Sequence, residues 1–510
     1  MTLPHPATGP EEDVVADLEF RLPGVEYEAI TWVHNEHFTG SVATLEESIA
    51  NLRQRINADD GLPGSVYING YSFGRDNQIR PSAEIPDIAR VENWRSVRLP
   101  AVDASVAEME AFDPETVEAG HFAEVNNALQ ERWQAAFGGV HADTMGVVFP
   151  ASAMWVEAYT KRFGAERQLE AATMLAGVPN ASNARAAALW DLGRIAASDA
   201  AVLEDVRSGV LPTQESAAGV MFRTGFATLL ESYGFTTTMH LIDLPTWHED
   251  NSIPLAMIAA MADEPEERSP QHAEANSKAR RLDLEAALAT LADDEEVTRL
   301  RAILPVAQWL APASEDHNLL CDQRMIAASR LRWLRLGSYL HKRGVLTAND
   351  DVFYVTIDEL YGMLDQDAVA PADAIRERRA AQLTWRAISP PSRLGAGIDQ
   401  QSVEVLKGVA ASAGTYRGRA RVVATLNDAA ALQPGEVLVA PATSPEWTPY
   451  FGVAGALVSA TGSLLAHAAV VAREFGIPAV VGARGATQRI KTGDLLAVDG
   501  AAGTVTIEAG

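Results

Sequence analysis

A chain of 510 residues, 47% apolar and 21% charged, is too long for one core and too ordinary in composition for disorder; about 100–200 residues per domain predicts three or four domains. Its 41 Lys and Arg stand against 68 Asp and Glu, a formal charge of −27 that repels a phosphate backbone and argues against nucleic acid as a partner. No run of about 18 apolar residues is there to span a membrane, and the lone Cys321 can form neither an internal disulfide nor a cysteine-based metal site, which fits a reducing cytoplasm.

Residues 1–26 read as an acidic, Pro-rich tail, and Met1–Asp17 lacks the basic and apolar regions of a secretory signal. Residues 27–387 read as a mostly helical body with a mixed α/β start over 27–105. There Ser65–Ile68 is predicted to be a strand turning at Asn69-Gly70, the dipeptide that two-residue hairpins favour. From 106 to 387, Ala, Leu, Glu and Arg recur at helical spacing, as in Ala181–Ala201 and Glu274–Leu304. The polar stretch Asp263–Ala273 interrupts that pattern and reads as an exposed connection. Residues 388–404, with ISPPSRLGAGIDQQ over Ile388–Gln401, have the composition of a linker with little to pack.

After the linker the texture changes. Over 405–510, short β-branched runs are cut by glycines: Ala420–Ala424, Glu436–Ala440, Ala456–Ser459, Ala479–Val481, Leu495–Val498 and Thr504–Ile507 are predicted strands. The fold class expected is therefore multidomain, a mainly α-helical body followed by an α/β domain. The charge divides at the same place. From Val405 onward eight basic residues meet seven acidic ones, a net +1 that leaves −28 for the rest. So weak an electrostatic bond predicts a C-terminal domain free to move.

The stretch Thr461–Gly482, TGSLLAHAAVVAREFGIPAVVG, follows a predicted strand with a glycine turn, sets His467 at the start of a helix, and stops that helix at Gly476. Backbone N–H groups are unpaired on a first helical turn and the helix dipole favours negative charge there, so an imidazole in that place can carry a phosphoryl group. The small residues Gly462, Ser463 and Ala466 leave room for it. On the residues alone, a histidine that merely packs at a helix start remains the alternative.

This stretch resembles the phosphohistidine signature of the phosphoenolpyruvate-utilising enzymes. Gly408–Val423, GVAASAGTYRGRARVV, is similar to the opening of their swivelling domain; Gly435–Tyr450, GEVLVAPATSPEWTPY, to its next strand and loop; and Asp494–Thr506 to its closing strands. The resemblance implies a mobile domain that shuttles a phosphoryl group between two active sites, with His467 as the phosphorylated residue. Leu465 stands where pyruvate phosphate dikinase has a regulatory threonine, so control by phosphorylation there is not expected. In the body, Thr31–Leu45 and Gly61–Arg75 resemble the stretch after the nucleotide domain of rifampicin phosphotransferase-like enzymes. Tyr233–Ser252 and Glu315–Leu364 resemble their helical acceptor-binding domain, and the latter also resembles the large subunit of phenylphosphate synthase.

Transfer to a hydroxyl needs a base near the acceptor oxygen and cations on the phosphoryl oxygens. Glu315, Asp316, His317, Asn318, Asp322 and Arg324 gather those residue types; His317 is the candidate base and Arg324 the candidate phosphoryl clamp, against the plainer reading of an exposed helix start. His34, His37, Arg75 and His240 are further candidates for the acceptor cleft. Two histidines three apart with no third ligand make a weak metal site, and no metal is assigned to this chain. Phe149, Met154, Trp155, Tyr159, Met221, Phe222 and Phe226 could line an apolar pocket, though for any one of them core is the stronger reading.

Before Tyr27 there is no room for an ATP-grasp domain, and no G-x-x-x-x-G-K-[ST] loop occurs. The resemblance then implies a split phosphotransferase. A partner ATP-grasp subunit would bind ATP and Mg²⁺ and load His467, which would pass the phosphoryl group to a small, apolar hydroxylated substrate. A donor of phosphoenolpyruvate stays open, as does a non-catalytic or regulatory protein that keeps the swivelling domain as a docking module.

Overall fold

The computed structural model describes residues 84–85, 94–237, 242–386, 405–423, 426–429, 431–443 and 447–508, together with the backbone of four strands outside them. Those four, β1 (Thr31–Thr39), β2 (Ser65–Ile68), β3 (Tyr71–Arg75) and β4 (Arg393–Gly395), form an antiparallel sheet in the order β2-β3-β1-β4. Ile68 pairs with Tyr71 across two intervening residues, as an Asn-Gly hairpin requires. β4 corrects the reading of the linker as chain with little to pack: Arg393, Leu394 and Gly395 pair with Val33, Trp32 and Thr31. The rest of 388–404 lies outside the described residues.

The body between these strands is helical, as its periodicity predicts, but the long run Glu274–Leu304 is two helices, Pro270–Ala289 and Glu295–Leu310. Asp294 makes the break: its carboxylate accepts from the Val297 N–H at 2.7 Å and starts the second helix. Asp263–Ala273 is not simply an exposed connection. It folds as a 3₁₀ turn (Glu266–Arg268) and the first turn of the helix that Ser269 caps, with Glu264 and Ser269 only 4% and 1% exposed. Of the aromatic and methionine residues, Met154, Trp155 and Tyr159 belong to one buried cluster, and Phe222 stacks on Phe226 in another. Met221 is exposed. The core reading therefore holds for most of them.

Residues 405–508 build an eight-stranded mixed sheet. In chain order its strands are β5 (Val405–Lys407), β6 (Val409–Ser412), β7 (Thr415–Val422), β8 (Val437–Ala440), β9 (Ala456–Ser459), β10 (Ala479–Val481), β11 (Leu495–Asp499) and β12 (Thr504–Glu508). They lie in the order β5-β12-β11-β7-β8-β9-β10-β6, with β7 to β10 parallel. β8, β9 and β10 read as unbroken apolar runs because both faces are covered.

Side chains alternate between those faces. Val437, Val439, Ala456, Val458 and Val480 pack toward Leu496, Val498 and Val505. Leu438, Ala440, Leu457, Ala479 and Val481 pack toward the helix His467–Phe475 and, through Tyr450 and Phe451, onto Trp190, Leu255, Ile258 and Met261 of the body. One apolar core thus runs from the body into the C-terminal domain. The C-terminal domain is thus not loosely held, because the contact is made by apolar side chains that formal charge does not register.

Candidate functional site

The helix His467–Phe475, here the carrier helix, begins directly after a loop shaped by glycine. Gly462 has φ +112°, a region that L side chains avoid, and an added Cβ would sit 3.3 Å from that of Val481. The Gly482 N–H donates to Thr461 O at 2.9 Å, tying the loop to the end of β10. Ala466 is the N-cap and has no side-chain acceptor to offer, so the helix start stays available to an anion, with His467 as its first residue. Ser463 turns the loop by accepting the Ala466 N–H on its carbonyl at 3.1 Å.

The His467 side chain reaches out of its own domain. Its Nδ1 lies 2.8 Å from Oε2 of Glu315, 152 residues away on the body. Both side chains are buried, 9% and 5% exposed. Burial drives the Glu315 carboxyl up, but the opposing field of His467, its hydrogen bond, and the nearby His317 and Ser182 outweigh that and hold it below the usual glutamate range. The carboxylate is therefore ionised and accepts, so Nδ1 carries a proton. The other ring nitrogen, Nε2, is buried and has no hydrogen-bond partner among the described residues. It is the atom left with a free lone pair. The edge of the Phe451 ring completes the wall, with ring centroids 6.1 Å apart.

Around this pair the two domains interlock through polar groups that the apolar core surrounds. Asn180 caps the body helix Ala181–Ala197, accepting the Asn183 N–H at 2.9 Å. The side-chain amides of Asn180 and Asn183 both donate to Glu474 on the last turn of the carrier helix. Burial pushes Glu474 up to about 8, the Asn amides oppose that, and Glu315 and Glu274 reinforce it. On the same helix start, the Ala181 N–H donates to Asp316 Oδ1 at 2.7 Å. Asp316 is itself held above the usual range, chiefly by burial. Arg268 donates to Val453 O and Ala454 O at 3.0 and 3.2 Å, and Arg280 donates to Arg473 O at 3.1 Å.

Of the sequence candidates, Glu315 meets His467 directly, and Asp316, His317, Asn318 and Asp322 are buried on the same segment. That segment is one continuous path, Ala313–His317 passing through a π-helical stretch, Asn318–Gln323, into Arg324–Lys342. The exposed helix start weighed against the site is not what forms. His317 donates from Nδ1 to Ala313 O at 2.9 Å and has Nε2 4.0 Å from Asp322 Oδ2, so its acceptor nitrogen faces a carboxylate. The Arg324 guanidinium is engaged by Asp103 at 2.7 Å and Leu320 O at 3.3 Å. That ion pair would have to break for it to clamp a phosphoryl group. Cys321 is buried, and its thiol is pushed far up by that burial.

His34, His37 and Arg75 fall on β1 and β3, where only the backbone is described; His34 pairs with Phe73 and Arg75 with Trp32. His240 lies outside the described residues. Arg473 donates to Ala411 O at 2.9 Å, and burial brings its guanidinium down to about 10. Ser182, Asn180 and Asn183 were missed, although Asn180 before a helical run is a legible N-cap. Among the described residues no group of three or more His, Cys, Asp or Glu is placed to hold a metal ion, and no helix is long and apolar enough to cross a membrane.

Residues 432–503 match the mobile domain of PEP-utilising enzymes, and residues 142–315 match the fourth domain of rifampicin phosphotransferase. The resemblance read from the sequence thus stands over these two stretches, while Thr31–Leu45, Gly61–Arg75 and all of Glu315–Leu364 but its first residue lie outside them. The chain is 29% identical over 466 residues to chondramide synthase of Chondromyces crocatus, covering 84% of this chain and 12% of that protein. It is 36% identical over 177 residues to the rifampicin phosphotransferase of Streptomyces sviceus, 33% of this chain and 20% of the other. With the prodigiosin synthesizing transferase of Serratia marcescens it shares 43% over 155 residues, 28% of this chain and 17% of the other. The chain spans no more than a fifth of the length of these three relatives.

Proposed function

We propose that this chain is the phosphohistidine-carrying and acceptor-binding part of a phosphotransferase. A phosphoryl group taken from ATP, bound with Mg²⁺ on a partner ATP-grasp chain, travels on His467 Nε2 to the hydroxyl of a small acceptor held by the helical body. The observation that carries this reading is the 2.8 Å contact between His467 and Glu315, because it seats the carrier histidine on the stretch that resembles the acceptor domain. The Nδ1 proton is fixed by that contact and Nε2 is left as the nucleophile for loading.

The crevice where the domains meet has Phe149, Leu175, Val178, Pro312, Leu465 and Val470 in its walls beside Glu315, Arg473 and Glu474, and since it now has room for about one water, an apolar acceptor would enter as the domains part. Phenols and alicyclic alcohols suit such walls better than pyruvate. The experiment is to incubate the chain with an ATP-grasp phosphotransferase subunit and γ- and β-labelled ATP in turn. Acid-labile label that disappears in His467→Ala supports the reading. An active partner that leaves the wild type unlabelled removes it.

The second reading, a docking module without chemistry, is favoured by one observation: the shared apolar core leaves Nε2 shut off from solvent. It expects no label under any donor and an unchanged domain arrangement with or without nucleotide.

A further inference from the structure

The His467–Glu315 contact joins a residue of the moving domain to a residue of the stationary one, and that division of labour has chemical content. A phosphoryl group on Nε2 can leave in two ways. If Nδ1 has lost its proton, the departing group is an imidazolate, a strong base and a poor leaving group. If Nδ1 keeps its proton, the departing group is neutral imidazole. Whatever holds that proton in place governs how readily the phosphoryl group moves on. Resting on the proposed role of His467, we propose that Glu315 is a positioning residue that activates the carrier on docking, keeping the Nδ1 proton on phosphorylated His467 so that the phosphoryl group departs from a neutral imidazole.

The geometry carries each part of this. Oε2 lies 2.8 Å from Nδ1, within a charge-assisted hydrogen bond, and receives the Ser182 hydroxyl at 3.4 Å, which fixes its rotamer. Glu315 is 4% exposed, so its field on the ring is little screened by water. The titratable groups around the pair are Asp316 and His317 on the same segment and Glu474 on the carrier helix, with Arg95 acting on Asp316 and Glu274 on Glu474. Asp316 and Glu474 are both held toward the neutral form, which leaves Glu315 as the ionised carboxylate in contact with the ring.

In the transfer step, the P–Nε2 bond breaks and its electron pair stays on Nε2. The acceptor oxygen forms the new P–O bond, its proton passes to the acceptor-side base, for which His317 is the candidate, and the Nδ1 proton never leaves, so His467 is left as neutral imidazole. Because Glu315 belongs to the body, a carrier in transit lacks it. The phosphoryl group is then held on a less reactive ring between sites and released where the acceptor binds.

Phosphoramidate, a small phosphoryl donor, loads histidine without a partner enzyme, and ³¹P NMR follows the Nδ1 titration of phosphorylated His467 through its chemical shift. An anion this close raises such a midpoint by about 1–3 pH units. The wild-type midpoint is expected above that of phosphorylated N-acetylhistidine measured alongside, and to fall toward it in Glu315→Gln. Glu315→Asp, which keeps the charge but shortens the reach, should lie between. A wild-type midpoint equal to that of phosphorylated N-acetylhistidine overturns the proposal even if neither variant folds, and so does an identical midpoint in folded Glu315→Gln. The signal should be absent from His467→Ala, which assigns it among the 11 histidines of the chain; equal labelling of His467→Ala and wild type by ATP with the partner subunit instead overturns the carrier role itself.

Discussion

The carboxyl of Glu474, on the carrier domain, is hydrogen-bonded by the side-chain amide of Asn183, on the body. Glu474 is pushed to about 8 in this setting, first by burial and then by Glu315 and Glu274, both residues of the body. When the domains part, those causes go and the group returns toward its ordinary value of 4.5. The docked form therefore binds the extra proton. Docking is fullest below about pH 4.5 with respect to this group, and loses strength as pH rises to about 8, by roughly tenfold per pH unit at most. Small-angle scattering between pH 6 and 9 should show the molecule extending, and Glu474→Gln should flatten that dependence. An equal response in the variant would assign it to other groups.

Arg268 ties the stretch after Ala262 to the carrier domain through two carbonyls, supported by Glu264 at 3.1 Å. Hydrogen bonds to a charged donor are worth about 1.5–3 kcal/mol when partly buried, and Arg268→Ala should weaken docking about tenfold or more. Hydrogen exchange of the carrier helix is the measurement, with faster exchange expected there and none in the sheet β7–β11.

Phe451 is fully buried between the carrier helix and the body, packed against Phe475 at 6.4 Å and edge-on to His467. Phe451→Ala should cost about 3–5 kcal/mol of stability in urea unfolding, as large aromatic truncations in a closed core do. A loss under about 1 kcal/mol would mean that the interface refills the space.

His317 is set to act through Nε2, since its Nδ1 proton is committed to Ala313 O. If it is the acceptor-side base, His317→Gln should slow transfer from loaded His467 to a phenol by about 10²–10⁴-fold and leave the loading step unchanged. Single-turnover ³¹P NMR over a panel of phenols and alicyclic alcohols separates the two steps. Equal loss in both would give His317 a structural role.

Much of the C-terminal fold was legible because its physics is local. β9 and β10 have the ends expected of them, as parallel strands buried on both faces carry their signal in unbroken apolar runs. β7 was placed too late. Its first half alternates toward solvent, with Arg417 and Arg419 exposed, and so lacked the apolar run that marked its neighbours. The site was legible only in pieces. His467 and the stretch 315–324 could each be picked out, one by its motif and the other by residue type. That they meet was not, because nothing in a sequence period links positions 152 residues apart. The same holds for Asn180, whose capping role is local while its bond to Glu474 is not. Formal charge also misled, since a near-neutral domain is held here by aliphatic and aromatic surface.

The pairing of β4 with β1 sets a leash. Gly395 is stitched to Thr31, and the carrier domain resumes at Val405, with nine residues between. At no more than about 3.6 Å per residue, that stretch lets Val405 lie at most about 35 Å from its anchor. Any second station that the carrier visits must be within reach of the domain while Val405 stays inside that radius, or the N-terminal sheet must unzip its last strand to let it pass.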